Sequence, residues 1–113
     1  MAIVEFMRGF ATVKAGACGK TTAVTAEFDE RSGLCTLHLE TDCPHFQKVA
    51  EKLNGITVRP SDEFAWGTSK IHAAMRENCT HTACPVPSGV VKAVQVACGK
   101  KEAVDAEISV RAE

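Results

Sequence analysis

The sequence predicts an α+β domain: an antiparallel sheet of three or more strands with helices packed on one face. Two observations carry this. Short segments early in the chain alternate apolar and polar residues with period two, as half-buried strands do. The middle of the chain then switches to apolar residues spaced three and four apart, as amphipathic helices do. With 113 residues, the chain is long enough for one core and too short for two ordinary domains, so residues 1–113 are read as one domain.

The elements follow in order. Residues 3–15 are apolar, with β-branched and aromatic members, and read as a first strand. "GACGK" breaks the pattern. In "TTAVTAEFDE", Val24, Ala26 and Phe28 share one face while Thr25, Glu27 and Asp29 share the other. Gly33 suits the turn that follows. "LCTLHLET" alternates again, with Cys35, Leu37 and Leu39 on its apolar face. Three strands joined by short turns make an antiparallel meander.

After Thr41 the period changes. Asp42 is placed to cap a helix, Pro44 suits its first turn, and Phe46, Val49, Ala50 and Leu53 form its stripe. Asn54 and Gly55 end it. "ITVRPSDEFAWGTS" reads as a loop with a helical turn near residues 62–66. Ile71, Ala74 and Met75 mark a second helix over residues 69–78. A third begins at Pro87 and Ser88, with Val90, Val91, Val94 and Cys98 along one face, and Gly99 stops it. Val104, Ala106, Ile108 and Val110 alternate with Asp105, Glu107, Ser109 and Arg111, which reads as a closing strand. Residues 17–27 and 97–107 share eight of eleven letters. Both are read as a glycine turn feeding a strand, not as a duplication.

Charge is balanced, 13 basic against 14 acidic side chains, and interspersed. No basic stripe offers itself to nucleic acid. No apolar run approaches the roughly 20 residues of a membrane span, and Glu5 and Arg8 interrupt what would be a signal peptide's apolar stretch. A cytoplasmic, reducing setting is therefore expected, where structural disulfides are disfavoured.

Six cysteines are many for such a setting, and point to metal binding or thiol chemistry. Cys35 on a strand's apolar face and Cys98 on a helix's apolar face read as core residues. Cys18 lies in a glycine-flanked turn, Cys43 at a strand-to-helix junction, and Cys79 and Cys84 in "ENCTHTACPVP" ahead of a helix. These four stand where backbone amides are free to face a ligand, and helix N-termini favour thiolates. The four-residue gap between Cys79 and Cys84 is not zinc-ribbon spacing. Four thiolates suit either zinc or an iron–sulfur cluster. His45 and His81 are possible substitutes, although a histidine in a polar segment is usually solvated.

The order of these elements and cysteines resembles the iron–sulfur cluster scaffold proteins of the IscU/NifU type. The matching residues are Ala17-Cys18-Gly19, then Asp29-Glu30 with Gly33, then Thr41 with Cys43, then Cys84 ahead of "VVKAV". The resemblance implies that Cys18, Cys43 and Cys84 converge at one end, where a cluster is assembled and passed to a partner protein. The departures are specific. Lys20 stands where the scaffolds carry an acidic residue that makes the cluster labile. No segment resembles the one read by the scaffolds' chaperone. Cys79 is an extra thiol, which implies a more permanently held metal or cluster. The chain is also similar to a small cysteine-containing family of anaerobic prokaryotes, with "CPVP" in common and no established activity.

Three functions compete. The first is a protein binding a metal or iron–sulfur cluster through Cys18, Cys43, Cys79 and Cys84. The second is a thiol-based redox or sulfur-transfer protein, with Cys18 or Cys84 activated by Lys20 or a helix end. The third is an interaction module that keeps a scaffold's fold without its chemistry. No Ser-His-Asp pattern, phosphate loop or paired carboxylates assign any other catalytic residue.

Overall fold

A computed structural model describes residues 6–16, 18–78 and 83–112. Four strands form one antiparallel sheet in sequence order: β1 (Phe6–Lys14), β2 (Thr21–Asp29), β3 (Leu34–Thr41) and the two-residue β4 (Thr57–Val58). The helices are α1 (Pro44–Leu53), the single turn α2 (Pro60–Glu63), α3 (Lys70–Asn78) and α4 (Val86–Ala97). This is the α+β class that the alternation predicts. Among the described residues no helix is long and apolar enough to cross a membrane.

Register follows from the apolar faces. Ala11 pairs with Val24 and Val24 with Leu39; Gly9 pairs with Ala26 and Ala26 with Leu37. All these residues therefore share one face of the sheet. The stripe Phe46, Val49, Ala50 and Leu53 of α1 is buried against β3, and Val90, Ala93, Val94 and Ala97 of α4 cover β1 and β2. One-sided helix cover leaves the other sheet face to threonines, charges and the exposed Phe10.

The contact between α4 and β1 is unusually close, because two glycines permit it. A Cβ on Gly9 would run into the carbonyl oxygen of Ala93, and one on Gly89 would run into the Val13 side chain. The helix therefore lies directly on the strand, antiparallel to it, with its N-terminus over the strand's C-terminal end.

The β3 side of the sheet is closed. Cys35 and Thr36 pair with β4. Leu37 N–H donates to Ile56 O at 3.0 Å, and Gly55 N–H donates to Leu37 O at 2.7 Å. The Asn54 side chain accepts from Leu39 N–H at 3.2 Å and donates to Leu39 O at 3.4 Å. The sequence reading missed β4, since two residues carry no period.

α3 is anchored by Glu63, whose buried carboxylate accepts from Ser69 Oγ at 3.0 Å and from the N–H groups of Lys70 and Ile71 at 3.0 and 2.9 Å. A buried anion at a helix start is favoured by the free amides and the dipole there.

Two expectations are corrected. Asp42 does not cap α1; its carboxylate accepts from Thr21 N–H at 2.8 Å, across the sheet. The closing strand does not form. Residues 103–112 belong to no strand, and Val104, Ile108 and Val110 are 71%, 78% and 89% exposed. The second "ACGK" therefore feeds no strand, whereas the first leads into β2.

Substituting Gly9→Ala should destabilise the fold by about 1–3 kcal/mol, because backbone on the helix side cannot yield to the new methyl. Urea unfolding checks this; a neutral result would mean that α4 does not lie this close.

Candidate functional site

Three of the predicted ligands come together at the end of the molecule where β1 finishes, β2 begins, β3 finishes and two helices start. Each is positioned by a different local device. Cys18 is held in the β1–β2 turn. Ala15 N–H donates to Lys20 O at 3.0 Å, and Gly19 N–H donates to Gly16 O at 2.9 Å. Gly16 and Gly19 take φ of 88° and 69°, which a side-chain-bearing residue resists. These turns leave Cys18 exposed at the tip.

Cys43 is fixed by the end of β3. Its N–H donates to Thr41 Oγ1 at 3.1 Å, and that hydroxyl is 2.8 Å from buried Thr22 Oγ1. The Asp42 to Thr21 bond completes the tie between β2 and β3 beneath it. Cys43 is itself the N-cap of α1, and its carbonyl accepts from Gln47 N–H at 2.9 Å.

Cys84 precedes Pro85, the N-cap of α4. Neither α1 nor α4 has a side-chain cap, and each carries proline in its first turn. Two helix starts thus leave amides without intrahelical acceptors beside half-buried thiols. That is a setting suited to anionic sulfur.

A cavity of about 470 Å³ joins these parts. Cys18, Cys43 and Cys84 all line it, together with Lys20 and His45, and Ala15, Phe46 and Val86 contribute apolar wall. Among the described residues, no three His, Cys, Asp or Glu side chains stand close enough to clasp one metal ion. A single zinc would need sulfurs about 2.3 Å from the metal and so within roughly 4 Å of one another. A cluster spreads its thiolates over several irons and accepts a wider arrangement. Cys79 and His81 lie outside the described residues. A second depression of about 290 Å³, beside Trp66, His72 and Lys92, contains no cysteine.

The remaining thiols differ. Cys35 is fully buried in the core, as its strand position predicts. Burial, with Cys98 and Glu27 nearby, pushes its thiol from 9.0 up to about 12. Cys98 is half-buried at the C-cap of α4, one residue beyond the helix, where its Sγ reaches Gln95 O at 3.6 Å.

In the native protein, Cys18 should react with an alkylating reagent while Cys35 stays unmodified until unfolding, as mass spectrometry of digested samples would read. The raised Cys35 value also has a signed consequence. The unfolded chain ionises first, so the thiol's contribution to stability is complete below about pH 9 and is lost as pH climbs towards 12. The fall in urea midpoint over that window should be shallower in Cys35→Ala than in the parent.

No curated protein matches the sequence. The model of a family of unknown function, DUF6951, matches residues 10–110, and with nearly the whole chain matched the protein belongs to that family.

Proposed function

We propose that this is a protein that binds a metal or iron–sulfur cluster, with Cys18, Cys43 and Cys84 as ligands and Cys79 as the fourth. The observation that carries the reading is the lining of one cavity by three thiols that come from a hairpin turn and two helix starts, far apart in sequence. Four thiolates suit either an iron–sulfur cluster or a single zinc ion, and the metal analysis below separates the two. The chain's own contribution is to present the sulfurs, to supply amides at two helix starts, and to limit water with apolar walls. The similarity in motif order to IscU/NifU-type scaffolds favours the same reading. A fourth thiolate and Lys20 favour retention of the cluster over transfer to a partner. A cytoplasmic, reducing location is part of this proposal, since it keeps thiols available.

The alternative is thiol chemistry at Cys18, which is exposed and shares the cavity with Lys20.

Anaerobic purification, followed by iron, sulfide and zinc analysis and an absorption spectrum, decides between them. Iron with sulfide in a brown protein supports a cluster, and stoichiometric zinc supports the same site with another metal. Cys84→Ser should abolish binding. Cys79→Ser should leave a folded protein that loses metal to a chelator at least roughly tenfold faster, since even outer partners of a metal site are worth that much. Cys98→Ala should retain its metal. A folded protein that neither carries nor takes up iron or zinc overturns the proposal.

A further inference from the structure

The sheet has one closed side and one open side. β3 is covered by β4, residues 55–56 and the Asn54 side chain. β1 stands at the other end of the strand order, and among the described residues it pairs with β2 alone. A nine-residue edge is long for a strand left bare. On its core face Ala11 and Val13 are only partly buried, so that flank of the apolar layer is unfinished.

The same chain carries a segment with the form of a strand and no sheet to join. Residues 104–111 alternate apolar and polar along their length, and their three large apolar side chains face solvent. The molecule is drawn out to 56 Å along one axis, against 28 and 26 Å along the others.

We propose that the segment over residues 107–111 adds as an antiparallel strand to the β1 edge of a second copy of this chain, reciprocally, to form a two-fold dimer. Complementarity fixes the register. With Lys14 opposite Glu107 of the second copy, Thr12 meets Ser109, Val13 meets Ile108 and Ala11 meets Val110. Opposite charges and hydroxyls then pair on the outer face. Ile108 and Val110 then fall on the core face, where they cover the open flank. The tail cannot make this pairing with its own β1. α4 ends beside the beginning of β1, where a Cβ on Gly99 would stand 3.6 Å from Met7 Cε. From there the chain can only run parallel to its own β1; an antiparallel alignment needs the edge of another copy. A reciprocal exchange satisfies both tails and both edges with one symmetric operation. The inference is independent of the cysteine site.

Sedimentation velocity of the full chain in reducing buffer, over a range of concentrations, is the test. A dimer is expected, with alternate amides of residues 107–111 protected from hydrogen exchange. Ile108→Asp with Val110→Asp alters side chains that are exposed in the single copy, so the monomer should keep its circular dichroism. Dimerisation should weaken on the order of a hundredfold or more, because two carboxylates would face the apolar layer. Lys14→Glu should weaken it on the order of tenfold, since the pair occurs twice in the dimer. Adding Glu107→Lys should restore it. A chain monomeric throughout, a dimer indifferent to the Ile108 and Val110 changes, or tail protection in a monomer each overturns the proposal; failure of the charge swap overturns the antiparallel register.

Discussion

The seating of α4 directly on β1 is the constraint from which most of the architecture follows. Gly9 opens a gap in the strand under Ala93, and Gly89 opens one in the helix over Val13. With both present the helix backbone lies against the strand, and the chain can pack no larger side chain between them. This fixes where α4 begins, and hence where Cys84 stands relative to the end of β1 and the turn that carries Cys18. A looser helix would bury the same kinds of side chain, yet it would not hold those two thiols at one cavity.

The cavity is built at the ends of elements, and that has a chemical logic. Within strands and helices, backbone polar groups are spent on one another. At a strand end or helix start they are available, and short turns can aim a side chain there without disturbing the core. Thr41, Thr22 and Asp42 illustrate this. Three polar side chains tie β2 to β3 beneath Cys43, and Cys43 itself occupies the N-cap position of α1 without a side-chain cap bond.

Much of the fold was legible because its signals are periodic and one-sided. β2, β3 and the stripe of α1 each expose a single apolar face, and each forms where the alternation or the three-four spacing puts it. The misreadings share a cause. Asp42 acts across the sheet, and nothing local distinguishes a carboxylate that caps its own helix from one that reaches Thr21. Gly9 looks like an ordinary weak point in a strand until the helix above it is known. Residues 104–110 alternate correctly, but alternation records a capacity to pair and says nothing of which edge is open to receive it. The site was half legible for the same reason: glycine and proline mark where Cys18, Cys43 and Cys84 interrupt regular structure, while their common cavity is a product of topology.

The thiols are sorted by environment, and that sorting separates packing from chemistry. Cys35 is a core residue, and burial keeps it protonated. Cys43 and Cys84 are partly buried and touch the core, so losing either disturbs packing as well as any ligand role. Cys18 is different. It is exposed, its turn is held by backbone bonds on either side, and it contributes nothing to the core. A hydroxyl in its place would leave the turn and the core intact. Whatever property Cys18→Ser removes must therefore belong to the sulfur itself, which makes this position the most direct probe of whether the cavity exists for chemistry or is only a gap between helix ends.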